Sequence, residues 1–157
     1  MNGVHYGVAT AEQVAGMSGL QRMQAVVAGT LPQATISHTL DFVLVDAGPG
    51  TAVFEGRPGP TLLNPMGTVH GGWALTLIDS ATGCAAMTTL APGVAYTTVE
   101  TKANMNRAIT PATGLVRCEG RVIAQGRTII TAEARVLDTD GRLLAHGTST
   151  LLVLAGR

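Results

Sequence analysis

The chain has 157 residues, enough for one folded domain. Hydrophobic residues make up 46% of it and charged residues 13%, which excludes a disordered chain. Ten basic residues balance ten acidic ones and aromatic residues reach only 3%, so we expect no nucleic-acid partner. This high apolar content with so few charges also predicts apolar surface that an oligomer would cover.

The cysteines and the N-terminus predict a reduced, cytoplasmic protein. Cys84 and Cys118 lie far apart without metal ligands beside them, so neither a disulfide framework nor a metal site is expected. Residues 1–6 have no basic start and no apolar run, so no signal peptide is predicted. Asp79 and several hydroxyl residues interrupt the apolar stretch 73–90, which therefore predicts a buried helix and no membrane partner.

The first third of the chain predicts one helix and two strands. A capping-box pattern at Thr10 and Gln13 precedes apolar residues at helical spacing that continue to Gly29, where the helix is expected to end. Alternating apolar residues predict strands at 39–45 and 51–55, joined by a turn rich in glycine and proline. Several prolines and glycines then predict a loop over residues 57–68.

A long apolar helix is predicted at residues 70–90, and the rest of the chain has the pattern of strands. These strands are expected at 96–104, 115–123, 128–136 and 143–154. The connections between them are too short for crossover helices, so the sheet is predicted to be antiparallel. Because a helix that is apolar nearly all round must be enclosed, the sheet is expected to wrap around it. This α+β arrangement is the hot-dog fold.

The long helix carries one carboxylate on its least apolar face. On a helical wheel Asp79 shares that face with the small or polar residues Gly72, Thr76 and Gly83. A carboxylate in such surroundings is costly unless it is hydrogen-bonded, and small neighbours leave room for a ligand. Asp79 is therefore either paired structurally or used in chemistry.

The predicted start of this helix carries a histidine and two glycines. Backbone amides at a helix N-terminus lack partners and attract developing negative charge, which is what an oxyanion hole requires. His70, Gly71 and Gly72 stand at that position, six residues after Asn64. His70 acting only as a helix cap is the alternative interpretation.

These features together resemble one enzyme family, the PaaI-like (phenylacetate-type) hot-dog acyl-CoA thioesterases. The resemblance extends over about residues 40–154 and is carried by Asn64, Gly67, His70-Gly71-Gly72, Asp79 and the Thr98-Val99-Glu100 run. It implies hydrolysis of acyl-CoA thioesters and a division into an N-terminal helical extension, residues 1–34, and a hot-dog thioesterase domain, residues 35–157.

The resemblance also implies roles for individual residues. Asp79 would act as nucleophile or general base, and the Gly71 amide would hold the thioester oxygen. His70 and Asn64 would order the site. Thr98 stands where the family often has a hydroxyl residue that orients the attacking water.

Contacts with the substrate are expected from a second group of residues. Thr97 is the alternative to its neighbour Thr98, and Gly72 adjoins the expected oxyanion hole. Coenzyme A would be a substrate part whose phosphates need cations, for which the candidates are Arg107, Arg121 and Arg127. No metal or redox cofactor is expected. The segment 106–108 departs from the Arg-Pro of many relatives, which would change the acyl-CoA channel.

The spacing of Gly71 and Asp79 predicts a shared site. They lie eight positions apart, or about 12 Å along a helix at ~1.5 Å per residue. One carbonyl group cannot be held by the first and attacked by the second on the same helix. We therefore expect a homodimer with two antiparallel helices and shared sites, paired further into a homotetramer.

The expected substrates carry uncharged acyl groups, aromatic or medium-chain, because no charged cluster surrounds the His-Gly-Gly segment. Two alternatives remain open. A non-catalytic acyl-CoA-binding protein would keep the pocket without the chemistry. A hot-dog hydratase or dehydratase would use His70 and Asp79 as an acid-base pair.

Overall fold

The computed structural model describes residues 4–154, which form a six-stranded sheet around one long helix, with two shorter helices before it. The helices are α1 (Gly19–Val27), α2 (Thr35–Leu40) and α3 (Gly71–Met87). The strands are β1 (Phe42–Gly48), β2 (Thr51–Gly56), β3 (Ala95–Met105), β4 (Val116–Gln125), β5 (Ile129–Leu137) and β6 (Leu143–Leu154). All neighbouring strands pair antiparallel, in the order β1-β2-β4-β5-β6-β3.

Helix α3 contacts every strand of the sheet, which confirms the predicted hot-dog arrangement. Trp73, Leu77, Ile78 and Ala81 are buried along it. The indole N–H of Trp73 donates to the carbonyl oxygen of Leu40 at 2.8 Å, so this large side chain is buried with its polar atom satisfied. The first turn of α3 is thus tied to the end of α2, next to the start of β1.

Two glycines let α3 and the strands approach closely. A β-carbon at Gly120 of β4 would collide with the carbonyl oxygen of Ala81 in α3. A β-carbon at Gly147 of β6 would collide with the carbonyl oxygen of Lys102 and crowd Ile78. A side chain at Gly120 would force the helix away from β4, whereas a side chain at Gly147 would first disturb the pairing of β6 with β3.

The predicted helix start at Thr10 is wrong. Thr10 and Gln13 do exchange side-chain hydrogen bonds, at 2.9 and 3.3 Å, but they close only a turn. Gly16 then adopts a φ of +72°, which interrupts helical geometry. A second capping box, Ser18 with Gln21, starts α1, and Gly29 follows its end with a φ of +76°, as predicted.

The sequence pattern also misses α2, because residues 39 and 40 were expected in a strand. Asp41 ends this short helix in the left-handed region at a φ of +51°, and β1 begins at Phe42. The remaining strands and α3 begin and end within a few residues of their predicted bounds, and β6 matches residues 143–154.

Strand β3 contains a bulge that changes which side chains face α3. Thr98 pairs with Leu151 and Glu100 with Thr150, so Val99 is an extra residue. Thr98 and Thr101 therefore both face the helix, although they are three positions apart. Thr97 lies on the opposite face of the sheet.

Strand β3 is also an edge of the sheet. Two large apolar side chains on it, Val99 and Met105, are 56% and 51% exposed. This edge is where the structure leaves both backbone groups and apolar surface uncovered.

Gly120→Ala is expected to destabilise the fold by about 1–3 kcal/mol, because the added methyl group overpacks the contact with α3. Gly59→Ala is the matched control, since a β-carbon there meets nothing within 4 Å. Urea unfolding at one protein concentration measures both. Equal midpoints for the two variants would contradict the close contact.

Candidate active site

The loop before α3 is organised by the side chain of Asn64. Its Oδ1 accepts the N–H groups of Met66 at 2.9 Å and Thr68 at 3.2 Å, and its Nδ2 donates to Thr68 Oγ1 at 2.8 Å. Gly67 completes the turn with a φ of +83°, which favours glycine. Asn64 thus shapes the chain that leads into His70.

His70 caps α3 and leaves one amide free. Its Nδ1 accepts the N–H of Gly72 at 2.9 Å, and its carbonyl oxygen accepts the N–H of Trp73. The N–H of Gly71 finds no acceptor among residues 4–154. His70 therefore caps the helix through Nδ1, as the alternative interpretation states. The N–H group without an acceptor at the helix start is that of Gly71.

A cavity of about 270 Å³ lies at this helix start and gathers several predicted residues. Asn64, His70, Gly71 and Arg107 all line it. The backbone N–H of Val69 donates to the carbonyl oxygen of Ile109 at 2.8 Å, which ties the loop before α3 to the segment after β3. The exposed Arg107 therefore lies beside the N-terminus of α3, and both its guanidinium charge and the helix dipole favour an anion.

Asp79 lies half-buried on α3 and is held by a chain of hydroxyl groups. Its Oδ1 accepts a hydrogen bond from Thr101 Oγ1 at 3.1 Å. Since Thr101 has a single hydroxyl hydrogen, Ser149 must donate across the 3.0 Å contact to Thr101, and Thr82 donates to Ser149 at 2.7 Å. Three hydroxyl groups in series thus orient the Asp79 carboxyl group.

The sequence alone did not identify Thr101 or Ser149. Counting two residues at a time from Thr98 places Thr101 on the outer face, and only the bulge at Val99 reverses this. Thr98 faces α3, but it makes no hydrogen bond with Asp79 in this structure. A bulge has no fixed residue pattern, so the sequence gives only a weak indication that Thr101 faces α3.

The remaining predicted residues lie outside this arrangement. Gly72 gives its N–H to His70. Arg121 is paired with Glu133 on the outer face of the sheet, and Arg127 is exposed in the turn between β4 and β5. Asp79 does not line the cavity at His70, so one chain holds the two predicted catalytic groups apart.

Two further titratable groups lie near Asp79. Burial, reinforced by the nearby Asp79, raises the pKa of the Cys84 thiol to about 12. Burial also raises the pKa of Tyr96, whose hydroxyl packs against Gly83. Both groups are therefore neutral at physiological pH and serve as packing.

No group of three or more His, Cys, Asp or Glu side chains gathers into a metal-binding arrangement within residues 4–154. In the part of the chain that the structure describes, no helix is long and apolar enough to cross a membrane.

The sequence matches the family model described as the thioesterase superfamily over residues 66–145. This stretch is half of the chain, and it contains Gly71, Asp79 and Thr101. The chain belongs to the thioesterase superfamily. The expected resemblance to PaaI-like hot-dog thioesterases is thereby confirmed, and so is the expectation of an enzyme. No curated protein matches this thioesterase in sequence.

Solved structures share the fold of this thioesterase. A conserved protein from Pseudomonas aeruginosa is 32% identical, covering 76% of this chain and 94% of its own with a TM-score of 0.71. The E. coli PaaI protein from the phenylacetic acid degradation operon is 18% identical (77% and 85% covered, TM-score 0.70). A Streptococcus mutans protein bound to acetyl CoA is 24% identical (74% and 91% covered, TM-score 0.67). The last two likenesses show the fold alone.

Proposed function

We propose that this thioesterase hydrolyses acyl-CoA thioesters to the free acid and CoA, in a homodimer with two shared active sites. The S. mutans structure bound to acetyl CoA, on the same fold, supports CoA as the carrier. The observation that carries the proposal is the separation of two complementary groups on α3. Gly71, whose N–H has no acceptor among residues 4–154, lines the cavity at the helix start, and the Asp79 carboxyl group held by Thr101 lies outside that cavity.

A second copy supplies the missing half of each site. About 12 Å of helix separates Gly71 from Asp79 at ~1.5 Å per residue, so one carbonyl group cannot meet both within one chain. Two α3 helices side by side and antiparallel bring Gly71 of each copy next to Asp79 of the other. The exposed edge β3, with Val99 and Met105, lies beside α3 and offers the apolar surface for this contact. Further pairing of dimers into a homotetramer remains a prediction.

The proposed roles of Gly71 and Asp79 follow from the negative charge that develops on the thioester carbonyl oxygen during hydrolysis. Attack on the thioester carbonyl carbon places negative charge on its oxygen, which the Gly71 N–H and the start of α3 stabilise; one such donor is typically worth ~3–4 kcal/mol. Asp79 either attacks to form an anhydride or removes a proton from water. In both routes the carbon–sulfur bond breaks, the CoA thiolate takes up a proton, and one water is consumed. Thr101 holds the carboxyl oxygen of Asp79 throughout.

The remaining residues bind and order the substrate. Asn64 and His70 fix the loop and helix start that present the Gly71 amide. Arg107 lines the same cavity and is assigned to the CoA phosphates. CoA enters as part of the substrate, and the proposed chemistry needs no metal or redox cofactor.

Asp79→Asn is expected to lower kcat by at least ~100-fold, because acid-base groups typically contribute 10²–10⁴. Thiol release from an acyl-CoA measures the rate, and circular dichroism checks the fold. Asp46→Asn is the matched control, since it neutralises an exposed carboxylate on β1, at the opposite edge of the sheet. An Asp79→Asn protein that stays folded and turns over normally would refute the assignment.

Thr101→Val is expected to lower kcat by about 10-fold, the loss expected for one hydrogen bond to a charged group. Thr98→Val is the comparison, because Thr98 faces α3 without bonding Asp79. Thr101→Ser keeps the hydroxyl and should retain activity. A larger loss for Thr98→Val than for Thr101→Val would assign the orienting role to Thr98 instead.

Mixing two inactive variants tests the shared site. Gly71→Pro removes the amide donor, and proline fits the first position of a helix; Asp79→Ala removes the carboxylate. Equal mixing by unfolding and refolding should restore about a quarter of wild-type activity, since half the dimers then carry one intact site of two. Each variant refolded alone is the control. No recovery in a verified heterodimer would contradict a shared site.

We further propose uncharged acyl groups, aromatic or medium-chain aliphatic, as substrates. The described lining of the cavity at His70 contains one cation, Arg107, which is assigned to CoA. Benzoyl- and hexanoyl-CoA should therefore have higher kcat/KM than succinyl- or malonyl-CoA. Preferences among neighbouring chain lengths should be modest, because one methylene is worth only ~1–3 kcal/mol. A strong preference for a dicarboxylic acyl group would overturn this assignment.

A further inference from the structure

A second cavity lies between helix α1, the segment before it and strands β1 and β2. Its volume is about 390 Å³, which is larger than that of the cavity at His70. Its walls are the N-terminal segment around residues 7–14, helix α1, and the buried side chains of Leu44 and Phe54 on β1 and β2. It shares no lining residue with the cavity at His70. Its size is within the range of small-ligand pockets, about 300–1,000 Å³.

Arg22 brings a positive charge to this apolar cavity without an acidic partner. It is the one charged residue among the described residues of the lining, and it forms no ion pair within residues 4–154. Its Nε is buried and has no hydrogen-bond partner. Its Nη2 reaches only the carbonyl oxygen of Val14, at 3.5 Å. A buried donor left unpaired destabilises a protein, so this guanidinium is suited to an acceptor that comes from outside the chain.

Ser37 adds a hydroxyl group to the wall of this cavity. Its side chain lines the cavity and is only 2% exposed. Gln33, also in the lining, is satisfied by two bonds of 3.0 Å to the backbone of Leu44. Cys84 completes the wall, and its raised pKa of about 12 keeps the thiol neutral, so it leaves the charge of Arg22 uncompensated.

We propose that this cavity binds a carboxylate with an apolar body, an aliphatic chain or an aryl group, whose anionic end pairs with Arg22. The ligand's apolar part would cover Met23, Val26 and Phe54. A carboxylate fits one guanidinium and one hydroxyl group, whereas a phosphate carries more charge and more acceptor oxygens than these two groups satisfy. A neutral apolar ligand would leave Nε of Arg22 unpaired. The site does not depend on the proposed hydrolysis, although the acids released by that reaction belong to the same class.

Isothermal titration calorimetry without any thioester tests the site. Octanoate and 3-phenylpropanoate represent the two kinds of apolar body, octanamide keeps the chain without the charge, and acetate keeps the charge without the chain. Octanoate, phenylpropanoate or both should bind once per chain and at least about 10-fold tighter than octanamide or acetate, as one charge-assisted pair predicts. Equal affinity for octanoate and octanamide would overturn the proposal.

Variants locate the binding. Arg22→Gln should weaken octanoate at least about 10-fold and leave octanamide unchanged, while Arg57→Gln, at an exposed arginine away from the cavity, should change neither. Ala9→Asp is the second test, because Ala9 lines the rim on the N-terminal segment and an added carboxylate there repels an anion without disturbing the core. Octanoate binding that survives both changes would place it elsewhere and refute the site.

One further variant separates this site from catalysis. Asp79→Asn should bind octanoate like the wild-type protein, whatever its hydrolytic rate. Loss of octanoate binding in Asp79→Asn, with no effect of Arg22→Gln, would mean that the acid occupies the active site, and the proposal would fail. Loss of hydrolysis alone tests the proposed function and leaves this site standing.

Discussion

The close contact of α3 with the sheet is the constraint on which the rest of the structure depends. A helix that is apolar on most sides must be enclosed, and here the enclosure brings the backbone of β4 against the backbone of α3. Gly120 makes that approach sterically possible, and Gly147 leaves room in β6 for the side chain of Ile78. Because α3 is fixed along its length, the start of the helix and the carboxyl group in its middle keep constant positions relative to β3. The candidate site follows from this packing more than from any loop.

A chain of polar side chains crosses the apolar contact at one place. Thr82, Ser149 and Thr101 are linked in series to Asp79, and the first two are fully or almost fully buried. Buried hydroxyl groups are tolerated when each is hydrogen-bonded, and such a network specifies one arrangement of the elements that contribute to it. Three elements, α3, β6 and β3, are thereby aligned at the carboxyl group proposed for catalysis.

Prediction from sequence succeeded where a pattern is long and failed where tertiary contacts decide. The apolar period of α3 and the alternation of β6 are strong local signals, and Asn64, His70 and Gly71 stand together because they adjoin one helix start. Helix α2 has six residues and no side-chain cap, so its sequence is compatible with a strand as well. Thr101 was missed because the bulge in β3 exchanges the two faces of the strand. The second cavity was equally invisible, since it joins segments that are distant in sequence.

The exposed edge strand β3 affects which other strands can pair with a newly synthesised chain. The strand has eleven residues, and the backbone groups that point away from β6, together with two exposed apolar side chains, form a template on which an extended peptide can add a strand, which is a hazard for aggregation. Glu100 and Lys102 interrupt this edge with opposite charges, so a wrong partner must accommodate both. A second copy of the same strand, laid antiparallel in the register centred on Thr101, would set Glu100 of one copy against Lys102 of the other. The charges that discourage foreign strands would thus help the chain to select its own copy.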